Sequence, residues 1–391
     1  MRAGSELNAW APQEPVELPS GTGPLEGLTL AVKDIMAVAG MKSGWGSPER
    51  LAEAEPEPET QPVVQQMLDA GARFAGLAQC EELCFSLTGN NAHYGAPVNP
   101  AAPDRYAGGS SSGSVSLVAS GTVDIATGTD TGGSVRGPAS YTGLIGLRTT
   151  HGRLSMERIM PLSHTLDTFG WFARDAETYA KVANVLLADD ERPTPKRLLT
   201  LDLLDAQVIG EPEADVLRTG RERIAPHFAS LDRTEGFHAE IDDWYWVFRE
   251  CQAFEAWMNL RGFVERARPK LGPGVRERLE FSSRVTKDSY DARTAQRHGM
   301  IAWMEDLLGD DGCLVLPTMP SCAPLKSTPE SGLQDFRERA LRLLCLSGVT
   351  GLPQITLPVE TVHGAPFGVS LIGPRGSDLA LVDLAQTVLA A

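Results

Sequence analysis

The chain has 391 residues, of which 42% are hydrophobic, with 39 glycines and 27 prolines, a composition typical of a folded globular protein. Its net charge of −16 argues against binding to nucleic acid or to an anionic membrane surface, because both need a basic patch. The first residues lack the basic and apolar stretches of a signal peptide, and no run of about 18 apolar residues follows. We therefore expect a cytoplasmic protein with no nucleic-acid or membrane partner.

The first half of the chain alternates short apolar strands with helices. Leu28 to Val32 is predicted to be a strand, Pro62 to Ala70 a helix, and Arg73 to Leu77 a second strand. The apolar runs at 117–119 and 123–126 continue this pattern. Such alternation predicts a layered α/β domain, which we interpret as the catalytic core.

Residues from about 190 to 310 are more charged and show helical periodicity. We therefore predict a helical segment that lies over the core. Its aromatic side chains are expected mostly to pack, although some could line a substrate pocket. These side chains are Trp244, Tyr245, Trp246, Phe248, Phe254 and Trp257.

A strand-like pattern returns after this segment, at residues 314–318 and 352–359, before a final helix that starts at Asp378. We expect these last strands to join those of the first half in one sheet. The prediction is a single domain, 1–391, with a core in two parts, about 25–185 and 312–391.

The six cysteines form no C-x-x-C pair, and the seven histidines are not paired at metal-binding spacing. Free buried thiols are therefore expected, and no metal or organic cofactor. Cys80 and Cys84, one helical turn apart if this stretch is helical, leave a metal or redox role open.

Two glycine- and serine-rich loops, 108–114 and 128–134, lie close together in the sequence. A flexible linker is disfavoured, since apolar runs that need burial bracket both loops. A phosphate cradle is a weak alternative, because neither loop continues as Gly-Lys-Ser/Thr or matches G-x-G-x-x-G. Residues 109–113 satisfy G-x-S-x-G around Ser111, but the turn-like, proline-containing stretch before them does not fit the strand that a nucleophile elbow requires.

The order of these motifs resembles the amidase signature family. The sequence GGSSSGS, which contains Ser110, is followed by GTDTGGSVR, which contains Ser134, and Ala31-Val32-Lys33-Asp34 lies upstream of both. The resemblance is close over residues 25–185 and looser over 312–391. It implies a layered α/β/α fold with a central mixed sheet. The run 91–95, leading through Asn99-Pro100, looks most like indole-3-acetamide hydrolases and their relatives.

Carried over to this sequence, the resemblance implies that Ser134 is the nucleophile. Ser110, on a cis peptide bond, is then the bridging serine and Lys33 is the base. The chemistry agrees with these roles, because a serine hydroxyl attacks only when a neighbouring base removes its proton. Lys33 can do so only as an uncharged amine, and we therefore expect it at a buried strand end.

The glycines of the second loop let a substrate approach the backbone closely. The oxyanion hole is expected from the N–H groups of Thr131, Gly132, Gly133 and Ser134. Asp130, Ser114 and Arg136 are expected to hold the loops, with a local salt bridge of no catalytic share as the alternative. Residues 83–91 and the aromatic segment are predicted to form the pocket wall.

The predicted reaction is hydrolysis of a small, primary amide through an acyl-enzyme on Ser134, and the predicted partner is that small-molecule amide. A homodimer is left open. One alternative is the glutaminase subunit of a tRNA-dependent amidotransferase. Another is a catalytically silent member of the family that acts as a binding protein.

Overall fold

The computed structural model describes residues 2–190, 192–234 and 238–390. Its strands are β1 (Thr29–Lys33), β2 (Arg73–Ala78), β3 (Ile125–Asp130), β4 (Ile145–Arg148), β5 (Thr168–Ala173), β6 (Arg197–Thr200), β7 (Ser230–Arg233), β8 (Gly312–Pro317), β9 (Gln354–Val362) and β10 (Ala365–Ile372). Its α-helices are α1 (Pro48–Glu53), α2 (Pro62–Asp69), α3 (Ser112–Ala119), α4 (Arg136–Thr142), α5 (Ala176–Leu186), α6 (Asp202–Asp205), α7 (Glu211–Ile224), α8 (Ile241–Ala267), α9 (Val275–Ser282), α10 (Lys287–Leu308), α11 (Glu330–Thr350) and α12 (Asp378–Ala390).

The strands form one mixed sheet of ten strands in the order β2-β1-β3-β5-β4-β9-β10-β8-β6-β7. Strand β1 is parallel to both β2 and β3, whereas β5 is antiparallel to β3 and to β4. The C-terminal strands β9 and β10 lie between β4 and β8, and the two ends of the chain therefore share a sheet, as predicted.

The central strands are covered on both faces. Every residue of β3, β5 and β8 is buried, a pattern typical of strands between two helical layers. Helices α3 and α4 pack against each other and against the sheet, and α5 packs against α12. The predicted layered α/β/α architecture is confirmed.

The middle segment departs from the prediction in one respect. It contains the α-helices α6 to α10, but β6 and β7 also lie within it and extend the sheet at the β8 edge. Both strands have only four residues. The apolar run of β6 is too short to distinguish a strand from part of a helix, and β7 is mostly polar. The pairing of β6 with β8 and of β7 with β6 decides the outcome.

All six cysteines are free thiols in buried positions, as expected. No helix in the described ranges is both long and apolar enough to cross a bilayer. Within the same ranges, no group of three or more histidine, cysteine, aspartate or glutamate side chains is placed to hold a metal ion.

Candidate active site

Lys33 is the last residue of β1, and its side chain is completely buried. Its Nζ lies 2.8 Å from Ser110 Oγ and 2.9 Å from Thr129 Oγ1. The carboxylate of the neighbouring Asp34 accepts the N–H of Gly44 at 2.9 Å. Burial raises the pKa of Asp34 to about 7. The amine of Lys33 thus contacts two hydroxyl groups, and the Cys84 thiol is also within reach.

The first loop delivers Ser110 to this amine. The Gly109–Ser110 peptide bond is cis, as predicted, and the Ser110 side chain is fully buried. The loop is tied to its surroundings by two backbone hydrogen bonds, from Gly109 N to Leu87 O and from Glu81 N to Ser110 O, each 3.0 Å long. A segment buried and bonded in this way is not a linker.

Ser134 lies in the second loop, two residues before α4, and only 6% of it is exposed. Across the described residues, no hydrogen bond joins the hydroxyls of Ser110 and Ser134. Catalytic hydrogen bonds are often long without substrate and tighten in the complex. Cys84 lies near both serines. Its thiol is within reach of Ser110 and Lys33, and its side chain lines the same cavity as Ser134.

One part of the predicted oxyanion hole needs correction. The N–H of Gly133 donates to Asp130 Oδ1 at 2.8 Å, and it is therefore not free to bind an oxyanion. The N–H groups of Thr131, Gly132 and Ser134 have no such partner in the described structure and remain the candidate donors.

Asp130 holds the second loop through two arginines. Its carboxylate accepts Arg136 Nη2 at 2.8 Å and Arg148 Nη1 at 3.3 Å, and all three side chains are fully buried. Burial alone would raise the pKa of Asp130, but the two guanidinium groups outweigh it and hold the pKa well below its usual range. The salt bridge between Asp130 and Arg136 is therefore present, and Asp130 also bonds the loop backbone.

Ser114 is less directly involved in the loops. Its hydroxyl donates a hydrogen bond of 2.8 Å to the carbonyl oxygen of Thr127, and this bond links α3 to β3. Beside it, the Thr127 hydroxyl accepts the backbone N–H of Lys33 at 3.0 Å. Ser114 thus supports the strand next to Lys33 rather than the reacting groups.

Sequence reasoning missed two neighbours of Lys33. Thr129 carried a usable signal, because Thr127 and Thr129 alternate on β3 and must face the same side of the sheet. Cys84 had none, since its approach depends on left-handed backbone at Leu83 and Cys84, with φ of 50° and 56°. Burial opposes ionisation of Cys84, whereas the hydrogen bond from Cys80 favours it and lowers the pKa of Cys84 below its usual value.

The predicted pocket wall is partly present. Cys84, Phe85, Ser86 and Leu87 line the cavity at Ser134, together with Gln252 of α8 and Arg337 and Leu341 of α11. The aromatic side chains mostly pack, as expected: Trp244 and Phe248 lie in a core cluster, and Phe254 stacks on Tyr290. The cavity has a volume of about 20 Å³, enough for roughly one water molecule.

Comparison with known proteins places this arrangement in a family. A family model described as Amidase matches residues 5–212. Amidase 1 of Oryza sativa subsp. japonica is 36% identical, over 94% of this chain and 91% of that protein. One component of the glutamyl-tRNA(Gln) amidotransferase of Halobacterium salinarum is 27% identical, over 98% of this chain and 99% of that protein.

A solved structure described as an amidase superposes with a TM-score of 0.84 at 28% identity, covering 94% of this chain and 85% of the other. The fold and the family match together define an amide-bond hydrolase of the amidase signature type. The chain belongs to the amidase family.

Proposed function

We propose that the protein hydrolyses a small primary amide to a carboxylate and ammonia through an acyl-enzyme on Ser134. The observation that carries this proposal is the buried contact of 2.8 Å between Lys33 Nζ and Ser110 Oγ, next to a cavity that Ser134 lines. It supports a proton path from the nucleophile through Ser110 to Lys33. We also propose that the protein is cytoplasmic and needs no cofactor.

The reaction has two halves. In the first, Ser134 Oγ attacks the amide carbon while its proton passes to Ser110 and the Ser110 proton passes to uncharged Lys33. The negative charge that develops on the carbonyl oxygen is met by the N–H groups of Thr131, Gly132 and Ser134. The C–N bond then breaks, and the proton held by Lys33 returns through Ser110 to the departing nitrogen as ammonia forms.

In the second half, water attacks the ester carbon of acyl-Ser134. The same path takes one proton from this water and returns it to Ser134 Oγ as the ester bond breaks. The product leaves as the carboxylic acid, which releases its remaining proton to solvent and becomes the carboxylate, and Lys33 is uncharged again. Both halves use the same three side chains, and removal of any one should slow both.

Ser134→Ala should lower kcat by about 10⁶-fold, the scale seen when a serine hydrolase loses its nucleophile. Ser116→Ala is the matched control, because Ser116 is also a buried serine but lies on α3, where its hydroxyl has no hydrogen-bond partner among the described residues. A fluorophosphonate probe should label Ser134 in wild type and in the control, slowly in Lys33→Met, and not in Ser134→Ala. Ammonia release by Ser134→Ala at the wild-type rate would overturn the proposal.

The amidotransferase alternative has one observation in its favour, the match to the Halobacterium salinarum amidotransferase component over nearly the full length of both chains. Activity of the isolated protein separates the two functions. Ammonia release from aryl-acetamides or short aliphatic amides by the purified chain alone supports a free amidase. Release of ammonia from glutamine only after addition of partner subunits would support the amidotransferase function.

A further inference from the structure

Three neighbouring cavities lead outward from Ser134. The cavity at Ser134 shares Ser86 and Arg337 with a second cavity of about 60 Å³. The second shares Arg278, Arg337, Gly274 and other residues with an outer cavity of about 390 Å³. Arg337 lines all three, and it is therefore the side chain that an amide at Ser134 meets where it extends toward the outer cavity.

The two arginines that line this path have almost no partners. Arg337 is 14% exposed, and its nearest carboxylate is that of Glu338, 3.9 Å away. Arg278 forms no side-chain hydrogen bond and no ion pair within the described ranges, and its guanidinium lies over the ring of Phe85, 5.7 Å from the centroid. The Nε atoms of both arginines are enclosed and unbonded. Buried cations normally have a hydrogen-bonded counter-charge.

The pKa values of the two arginines also reflect the lack of a close counter-charge. Burial and the like charge of Arg337 lower the pKa of Arg278 to about 9. Burial also lowers the pKa of Arg337 from its usual value. A third arginine on the outer cavity, Arg249, is paired with Glu338 at 3.0 Å. Arg249 therefore has a carboxylate at hydrogen-bond distance, whereas the same carboxylate is 3.9 Å from Arg337.

Two carboxylates, those of Glu277 and Glu330, act on Arg278 through their charge but form no ion pair with it among the described residues. Glu277 Oε2 accepts the backbone N–H of Gly274 at the start of α9, and Glu330 forms no ion pair among the described residues. Both lie on the exposed surface of their helices. Glu330 lines the same two outer cavities as Arg278, whereas Arg337 also lines the cavity at Ser134. An anion that reaches Ser134 therefore meets Arg337 beyond both carboxylates.

A buried carboxylate, that of Glu81, also acts on Arg278 through its charge but makes no direct bond to it. Its Oε1 instead accepts the backbone N–H groups of Gly89 and Asn90, at 2.6 and 2.7 Å. Burial raises the pKa of Glu81 above its usual value. The hydrogen-bonding capacity of the Arg278 guanidinium is therefore left unused by this neighbour.

We propose that the substrate is an amide with a carboxylate at its other end, and that Arg337 and Arg278 bind this carboxylate while the amide lies at Ser134. The inference rests on the proposed function and names its substrate class. A planar guanidinium with several donors matches a carboxylate well. An uncharged aryl-acetamide would leave both cations without a hydrogen-bonded counter-charge.

The test compares acidic amides with neutral ones of the same shape. Succinamate, glutaramate and adipamate are each paired with the amide in which an isopropyl group replaces the carboxylate. For at least one pair, kcat/KM should favour the acidic amide by about tenfold or more, since hydrogen bonds to a charged group are of that strength. Arg337→Met and Arg278→Met should each lower kcat/KM about 10-fold to 100-fold for the acidic amide alone.

Arg342→Met is the matched control, because Arg342 lies on the same helix α11 but is paired at the surface with Asp242 at 2.7 Å. It should leave the preference unchanged. Neutral amides hydrolysed as fast as acidic ones by wild type, or a preference that survives in both arginine variants, would overturn the inference and leave the amidase function intact.

A binding measurement separates this inference from the proposed function. Glutaramate should bind Ser134→Ala, measured by calorimetry, and bind at least about tenfold more weakly when Arg337→Met is added. If no amide is hydrolysed at all, the proposed function fails, while this binding difference still reports on the two arginines. Equal binding with and without Arg337 would overturn the inference.

Discussion

Two pairs of arginines lie near the Ser134 cavity, and they differ in how many hydrogen bonds and ion pairs their guanidinium groups form. Beneath the second loop, Arg136 and Arg148 donate to Asp130 and to carbonyl oxygens, including that of Leu344 at 2.9 Å. At the cavity mouth, Arg278 and Arg337 have neither carboxylate nor carbonyl partners at hydrogen-bond distance in the described structure. The first pair holds the fold together, whereas the second has binding capacity left for a ligand.

The largest expected effect tests the satisfied pair. Asp130→Asn leaves two buried guanidinium groups without a counter-charge, and loss of one partner from a buried ion pair costs about 3–5 kcal/mol. We expect that decrease in the free energy of unfolding, measured by denaturant titration followed by circular dichroism. Because the pKa of Asp130 is lower in the folded protein than in the unfolded chain, its carboxylate stabilises the fold fully at pH values above the unfolded pKa. This contribution is lost as the pH falls through the pKa of the folded state.

Two variants serve as controls for this prediction. Asp189→Asn breaks a solvent-exposed pair with Arg153 and should cause no measurable loss. Arg337→Met removes a largely enclosed charge that has no carboxylate at hydrogen-bond distance among the described residues, and it should leave stability unchanged or raise it. If Arg337→Met destabilised the protein as much as Asp130→Asn, the two arginine pairs would not differ in kind.

A buried carboxylate without a cation should show the opposite pH dependence from Asp130. Asp378 accepts the backbone N–H and hydroxyl of Thr150, each at 2.6 Å, and burial raises its pKa to about 6. Its contribution to stability is full below the unfolded pKa of about 4 and is lost as pH rises through about 6.

The measurement compares Asp378→Asn with wild type at several pH values. Relative to the variant, wild type should lose up to about 3 kcal/mol of unfolding free energy between pH 4 and pH 7. Thermal or denaturant unfolding of both proteins in the same buffers gives this difference. A difference independent of pH would show that Asp378 does not take up a proton on folding.

The smallest expected effect concerns how rigidly the second loop is packed. A Cβ added at Gly132 would lie 2.3 Å from Phe248 Cζ. Gly132→Ala should therefore cost about 1–3 kcal/mol of stability, the range for overpacking, and lower kcat by displacing a candidate oxyanion donor. Phe248→Leu in the same chain should restore part of both losses, read from unfolding and from ammonia release.

Gly262→Ala is the control for this variant, because a Cβ there has no neighbour within 4 Å and the residue lies in helix α8. It should be neutral or slightly stabilising. If Gly132→Ala were as stable and as active as wild type, the loop would be able to move to accommodate the added methyl group. That outcome would contradict the prediction that the second loop is rigidly packed.

Local sequence patterns determined much of the fold and the core of the site. The strands next to Lys33 and both serine loops were predictable, because short buried strands and glycine-rich turns have residue preferences that act over a few positions. The order of Lys33, Ser110 and Ser134 came from motif resemblance, and the contact between Lys33 and Ser110 agrees with it.

Only the tertiary structure decided which polar groups are satisfied and which remain free. Asp130 engages the N–H of Gly133, and Cys84 comes to lie beside Lys33, through contacts that no local pattern encodes. Arg278 on α9 and Arg337 on α11 look like ordinary surface charges in the sequence. They converge on one cavity because burial and hydrogen bonding depend on all the packed segments at once, whereas sequence patterns report mainly on a residue's own element.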